Sequence, residues 1–211
     1  MKLILNTSKK YYNKDIILFI FYLKLIFIKG GKQMIKSKRD YLDYMEADRL
    51  ATYRKTKKPK LFYQEPEWTY LRLLRKVEYY TNCKKGCLNR IILCYFKYKI
   101  SKLGLVCGFT MFPNQIGKGV KIFHYGSIII NGSSKLGDYC QIQCGVNIAS
   151  NVKIGNYVTI YPGVKIIDNI TIADNVIIGA NSVVTKDILE SGITVAGVPA
   201  KKISNVGSVA L

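Results

Sequence analysis

The sequence lacks the residue patterns from which metal centres and disulfide frameworks are built. It contains a single histidine and six cysteines among 211 residues. A single histidine argues against a three-histidine zinc site, and the cysteine spacings match no metal or redox motif. We therefore expect no bound metal. Because no clear signal peptide is present either, we expect the reducing environment of the cytoplasm.

Long hydrophobic runs are also missing. The longest, residues 16–28, is interrupted by Lys24 and is shorter than the roughly 20 residues that a membrane-spanning helix needs. No small-residue cleavage site follows it. The leader, residues 1–33, then has two interpretations. It is an interfacial segment, or its start is mis-assigned and translation begins at Met34, after a ribosome-binding sequence encoded by Lys29-Gly30-Gly31.

Acidic residues are scarce, with 13 against 33 lysines and arginines, for a net charge of +20. The excess is uneven, because residues 34–102 hold 18 cations and seven acids, and residues 103–211 hold eight and five. A basic N-terminal half suits an anionic partner such as a membrane surface or an acidic glycan; the alternative is an ordinary solvated surface. No RNA-binding or zinc-finger motif occurs, so we expect no nucleic acid. Contact with the inner face of the membrane stays open.

A six-residue repeat dominates the second half of the chain. Neither a helix, with a period near 3.6, nor a plain strand, with a period of 2, explains it. A short fixed period is typical of a parallel β-helix, in which each repeat completes its core against its neighbours. The sequence therefore predicts a mainly β chain. The ten index residues are Ile130, Leu136, Ile142, Ile148, Ile154, Ile160, Ile166, Ile172, Ile178 and Val184.

The corners of this β-helix are marked as well. Three positions after the index residues, seven of ten residues are Gly, Asn or Asp, which tolerate the positive φ that sharp corners demand. A period of 18 places Tyr139 above Tyr157 and Asn151 above Asn169. Three hexads per coil would give this stacking.

Three helices are predicted before the repeats. The first runs from Ser37 to Arg54 with Ser37 as its cap, the second starts near Pro66, and the third runs from about Cys87 to a stop at 104–108. We divide the chain into the leader, a basic helical cap (34–108), a β-helix domain (109–204) and a tail (205–211). Apolar stripes are expected at Tyr41, Tyr44, Met45 and Leu50 in the first helix, Trp68, Leu71, Leu74 and Val77 in the second, and Leu88, Ile91, Ile92, Tyr95 and Phe96 in the third.

The first coil contains an irregularity beside the only histidine. The six-residue register runs through Ile116, Ile122 and Ile128 and then slips by two, to Ile130. His124 lies at the corner next to this slip. A lone histidine on a turn is usually only solvated, but histidine is the usual general base near neutral pH.

Taken together, three features resemble the hexapeptide-repeat acetyltransferases, and within them the serine acetyltransferase branch. They are the repeats themselves, the stretch Ile122-Phe123-His124-Tyr125-Gly126, and the ending Ala196-Gly197-Val198-Pro199-Ala200-Lys201. The resemblance covers roughly residues 40–204. It implies a left-handed parallel β-helix with a small N-terminal α-helical cap, assembled as a homotrimer or a dimer of trimers.

The resemblance also implies a chemistry. Acetyl-CoA would lie between adjacent prisms, and His124 would remove the proton from an acceptor hydroxyl, since a neutral hydroxyl is a poor nucleophile. A backbone N–H would stabilise the oxyanion. The acceptor would be L-serine or a hydroxyl of a sugar or surface polysaccharide. The positions matching cofactor contacts in the family are Ala149, Ser150, Pro162, Ala180 and Lys201; the alternative for each is an ordinary turn or tail residue.

Three features of the serine-specific members are missing. Phe123 stands where they have an aspartate before the histidine, residues 108–113 contain no acid ahead of the first repeat, and residues 148–154 run without their histidine-bearing loop. A backbone carbonyl is then the candidate to orient His124. The competing hypothesis is a non-catalytic β-helix scaffold that binds a partner through its basic cap.

Overall fold

The computed structural model describes residues 34–53 and 65–208. Both interpretations of the leader, residues 54–64 and the last three residues of the tail fall outside these ranges. Within them, no helix is long and apolar enough to cross a membrane.

The described part of the chain begins with three helices. They are α1 (Lys38–Ala51), α2 (Pro66–Cys83) and α3 (Cys87–Cys107). Ser37 caps α1, because its Oγ accepts a hydrogen bond from the N–H of Asp40 at 3.0 Å. Gly108 closes α3 in the left-handed conformation, with φ of 72°. The predicted helix starts are thus confirmed within one residue.

Short strands follow, most of them two residues long. In chain order they are β1 (Phe109–Thr110), β2 (Lys121–Ile122), β3 (Ile128–Ile130), β4 (Lys135–Leu136), β5 (Gln141–Ile142), β6 (Asn147–Ile148), β7 (Lys153–Ile154), β8 (Thr159–Ile160), β9 (Lys165–Ile166), β10 (Thr171–Ile172), β11 (Ile177–Ile178), β12 (Val183–Val184), β13 (Thr194–Ala196) and β14 (Lys201–Ser204).

The strands stack into three faces of a prism. The first face has the order β1-β3-β6-β9-β12, the second β4-β7-β10, and the third β2-β5-β8-β11-β13-β14. All pairings are parallel except that of β13 with β14. Successive strands on the chain therefore lie on different faces, and each pairs with the strand one coil away. The predicted fold class, a left-handed parallel β-helix with a small helical cap, is confirmed.

Apolar side chains fill the inside of the prism. All ten index residues of the six-residue repeat are buried, with exposures of 5% or less. The smaller residues four positions later, from Cys140 to Ser182, are buried too. Burying one such aliphatic side chain is worth about 1.5–3 kcal/mol, so the regular core carries the stability of this region. Burial raises the pKa of the Cys140 thiol to about 12.

The corners behave as the repeat predicted. Eight of the ten corner positions have positive φ. Tyr139 and Tyr157 adopt this conformation despite their bulk, and their rings stack at 5.2 Å with 5° between the planes. Side chains also bond along the stack: the N–H of Asp138 donates to Asn156 Oδ1 at 2.8 Å, and that of Asn156 to Asp174 Oδ1 at 2.6 Å.

The cap buries a different set of residues from the one that its stripes predicted. In α1 the buried residues are Ala47, Asp48 and Ala51, and Leu50 is 58% exposed. In α3, Leu88, Ile91 and Tyr95 are exposed, and the buried set is Lys97, Ile100, Gly104 and Cys107. These two stripes were wrong in part because helix periodicity identifies a face but not what covers it. The stripe of α2 is confirmed.

A buried ionic cluster joins the cap to the first coil. Arg75 is fully buried on α2, and its Nε donates to Asp48 Oδ2 at 2.8 Å and its Nη1 to Glu78 Oε2 at 3.1 Å. Its remaining donors bind the carbonyl oxygens of Ile116 (2.8 Å) and Gly117 (2.5 Å). We call Asp48, Arg75 and Glu78 the clamp.

The clamp carboxylates in turn accept backbone N–H groups of the prism. Asp48 Oδ1 accepts from Val120 at 3.1 Å, and Glu78 Oε1 from Asn114 at 2.8 Å. Burial raises the pKa of both carboxyls. Burial alone would lower the pKa of Arg75, but the two carboxylates raise it above its usual value. The charges of the clamp thus satisfy one another and backbone groups of the first coil.

The other end of the prism is closed by a chain reversal. The N–H of Gly197 donates to the buried Ser182 Oγ at 3.0 Å, and the N–H of Ala200 to the carbonyl of Val183 at 2.8 Å. β14 then runs back antiparallel to β13. The N–H of Ser208 bonds to Asn175, so the described part of the tail lies against the last coils.

Candidate active site

His124 lies in a corner that is two residues longer than its counterparts. Main-chain bonds join Phe123 to Ile142 at 3.2 Å and Ile129 to Val146 at 2.9 Å. The two N–H donors, Phe123 and Ile129, are six residues apart in the sequence. Their counterparts on the next coil, Gln143 and Asn147, are only four residues apart. The two extra residues bulge outward while the ladder stays paired on both sides. The predicted slip is therefore this bulge, residues 123–128, which we call the His124 corner.

The middle of the bulge faces solvent, whereas Ile128 at its end is buried. His124 and Tyr125 are both exposed, and the N–H of Gly126 fastens the corner to the carbonyl of Cys107 at 2.9 Å. Among residues 34–53 and 65–208, no carboxylate or carbonyl bonds to the imidazole, so the expected backbone carbonyl is not found there. The imidazole is free to approach a hydroxyl outside the prism.

An aromatic and basic surface precedes the histidine. Lys121 Nζ lies 4.3 Å from the ring centroid of Phe123 and 4.6 Å from that of Tyr53, which follows α1. Tyr53 is 68% exposed. Phe123 therefore supplies an apolar, cation-flanked surface where the serine-specific pattern has a carboxylate.

The candidate cofactor residues occupy two corners of the prism and its closed end. Pro162 and Ala180 lie on the corner that also carries His124, between the third and first faces. Ala149 and Ser150 lie on the corner between the first and second faces. The Ser150 N–H donates to Asp168 Oδ1 at 2.6 Å. The fold thus brings two of the candidates to the histidine edge and leaves two on another edge.

The fifth candidate, Lys201, lies on β14, where it pairs with Ala196. Its neighbour Lys202 forms an ion pair with Glu190 at 2.5 Å. Lys201 is exposed, and no ion pair engages it within the residues that the structure describes. It is the more available of the two cations for a phosphate.

Sequence reasoning missed two features at the end of the prism that meets the cap. The clamp was not predicted, although Arg75 and Glu78 share a helical spacing with the buried Leu71 and Leu74, and charges on an apolar stripe signal such a cluster. The contact of Lys121 with Tyr53 crosses 68 residues, and no local pattern marks it. No three His, Cys, Asp or Glu side chains of the described residues form a group that could hold a metal.

One protein family matches part of the repeat region. The family described as bacterial transferase hexapeptide (six repeats) matches the chain over residues 133–167 and 151–186. Residues 133–186 of the prism are thus similar to the hexapeptide repeats of bacterial transferases. The matched residues contain most of the index positions, whereas the His124 corner precedes them. A comparison with curated proteins found no match.

Solved structures similar to this chain include several serine acetyltransferases. The enzyme from Neisseria gonorrhoeae has 25% sequence identity and a TM-score of 0.61, covering 82% of this chain and 69% of its own. That of Brucella abortus strain S19 in complex with coenzyme A has 22% identity and a TM-score of 0.65, covering 83% and 72%. The Neisseria gonorrhoeae enzyme in complex with serine has 24% identity and a TM-score of 0.61, covering 89% and 74%. These similarities support the fold of both the cap and the prism.

Proposed function

We propose that the protein is an acetyl-CoA-dependent O-acetyltransferase in which His124 is the general base. The observation that carries this is the two-residue bulge, which projects one imidazole from an otherwise regular prism. The similar structure from Brucella abortus holds coenzyme A, which supports a coenzyme A thioester as the acyl donor.

The reaction follows from the nucleophile's needs. His124 accepts the proton of the acceptor hydroxyl as its oxygen attacks the thioester carbonyl, a backbone N–H stabilises the oxyanion, and coenzyme A leaves as the thiol. Positioned base catalysis contributes about 10²–10⁴-fold. No metal takes part in this proposal.

The spread of the candidate residues supports a homotrimer. His124, Pro162 and Ala180 lie on one edge of the prism, and Ala149 and Ser150 on another. A ligand in a groove between two parallel protomers would touch the first edge of one and the second edge of the other. Lys201 would lie toward the nucleotide phosphates. A trimer provides three such grooves, and a dimer of trimers preserves them.

The surface before His124 favours a sugar acceptor over L-serine. Tyr53 and Phe123 offer rings on which the C–H face of a sugar can pack, and Lys121 between them suits an acidic sugar. Serine would need a carboxylate for its ammonium group, and Phe123 provides none. The acceptor we favour is therefore a hydroxyl of a sugar or surface polysaccharide.

Thiol release from acetyl-CoA tests the proposal with L-serine and with acidic and neutral saccharides as acceptors. We expect turnover with a saccharide, and a kcat lower by about 10²–10⁴-fold for His124→Ala. Lys85→Ala, on the exposed turn between α2 and α3, is the matched control and should leave kcat unchanged. Sedimentation velocity on the same samples tests the trimer. Normal turnover with serine would contradict the sugar assignment.

A non-catalytic scaffold is the second candidate, because the described residues provide His124 with no orienting partner. It predicts no thiol release from either the natural protein or His124→Ala with any acceptor. Equal release from the two proteins would also remove His124 from the mechanism.

A further inference from the structure

The side of α3 that faces away from the fold is apolar and basic. Helix-spaced residues Leu88, Ile91, Tyr95, Tyr98, Lys102 and Leu105 form this outer face, on the opposite side from the buried Ile100 and Gly104. Leu88 is 70% exposed, Ile91 62% and Leu105 75%. A mostly apolar row of side chains along about 26 Å of helix is unusual on a surface without a partner.

The charges around this face have one sign. Residues 84–108 contain six lysines and arginines and no acid. Lys99 Nζ lies 4.8 Å from the ring centroid of Tyr95, and Lys102 Nζ 5.6 Å from that of Tyr98. The ammonium group of each lysine thus lies over a tyrosine ring of the outer face.

We propose that the outer face of α3 docks on an anionic lipid bilayer surface. A helix with an apolar face, tyrosines and flanking lysines lies in the interface plane, with its apolar side chains among the acyl chains and its cations at the headgroup phosphates. A second copy of this chain fits less well, because the face offers no acid to its partner's lysines. The proposal does not depend on acetyl transfer.

Co-sedimentation with vesicles tests the proposal on the full chain. Vesicles of phosphatidylcholine alone are compared with vesicles that also contain phosphatidylglycerol. We expect at least about tenfold tighter binding to the anionic vesicles, weakened by added salt. Equal binding to both kinds, or no binding to either, would overturn the proposal.

Variants locate the binding surface. The double variant Lys99→Gln/Lys102→Gln should bind anionic vesicles about 25-fold more weakly, or roughly fivefold per cation. Lys153→Gln/Lys186→Gln removes the same charge from the prism and should bind them about as tightly as the natural protein.

Leu88→Ser/Ile91→Ser should lose most of the binding, with Leu50→Ser, at an exposed leucine of α1, as its control. Circular dichroism verifies that each variant is folded.

Two results would show that lipid binds another part of the chain or that the outer face binds something other than lipid. Full binding by both outer-face variants would place the lipid contact on another part of the chain. A lower sedimentation coefficient for Leu88→Ser/Ile91→Ser in the absence of vesicles would show that the face is an interface between copies. Either result overturns the proposal, and neither bears on His124.

Discussion

The prism of this protein buries a repeated apolar core, whereas the cap buries an ionic cluster beside its apolar side chains. The prism is filled with isoleucine and valine, and its polar groups are satisfied by the same bonds at every coil. Besides the apolar contacts of α2, the cap binds the prism through Asp48, Arg75 and Glu78, each 1% exposed or less. A repeated apolar core spreads stability over many equivalent residues, whereas a single ionic cluster concentrates it in one place. The two regions should therefore respond differently to single substitutions.

The largest effect is expected where the cap depends on one side chain. Arg75→Met leaves two buried carboxylates and two carbonyls without their donor, and we expect a loss of about 3–5 kcal/mol in the free energy of unfolding. The triple variant Asp48→Leu/Arg75→Met/Glu78→Leu removes the charges together and should recover only part of this loss, because the N–H groups of Val120 and Asn114 lose their acceptors as well. Urea denaturation measures both. A mild single variant would mean that water reaches the clamp.

A close approach within the prism comes next. A Cβ on Gly155 would lie 2.2 Å from Asp174 Oδ1 and 2.8 Å from its backbone nitrogen, whereas one on Gly132 has no neighbour nearer than 3.7 Å. Gly155→Ala should cost about 1–3 kcal/mol through overpacking. Gly132→Ala, its control, should stay within about 0.5 kcal/mol. Equal stability of the two variants would show that the corner ladder yields easily.

The buried thiol of Cys140 makes the stability of the prism depend on pH. The Cys140 pKa of about 12 in the folded chain exceeds the unfolded value of about 8.5, so the folded state binds its proton more tightly. This contribution is complete below about pH 8.5 and is lost as pH rises toward 12. Relative to Cys140→Val, the natural protein should lose about 1.4 kcal/mol per pH unit across that window. Urea denaturation of both proteins measures this, and parallel pH profiles would refute it.

The smallest effect is expected at an exposed helix end of the cap. Ser37→Ala removes the acceptor of the Asp40 N–H and should lower stability by about 1 kcal/mol. Ser37→Asp keeps an acceptor at the same place and should be close to neutral. Thermal denaturation of the three proteins decides this. A neutral alanine variant would mean that water replaces the cap.

Sequence periodicity predicted the buried residues and the corners of the prism almost residue by residue, because every repeat has an apolar residue at its core position and a turn-forming residue at its corner. It predicted where the three helices begin, since capping and proline signals are local. It did not predict which helix faces are covered, as Leu50 and Leu88 show, because that depends on contacts between distant segments. His124 was found from a slip in the count, whereas the Lys121–Tyr53 contact has no signature within its own neighbourhood.

Counting in sixes also constrains how such a gene can change. Duplicating or deleting 18 residues, the step that joins Ser150 to Asp168 along one corner, adds or removes one storey and returns everything downstream to its original orientation. A gain of six residues between the two would instead turn the remainder by a third of a revolution, carrying Ala180 away from the edge of His124. Length variants that keep activity should therefore differ by whole storeys, with smaller insertions confined to outward bulges.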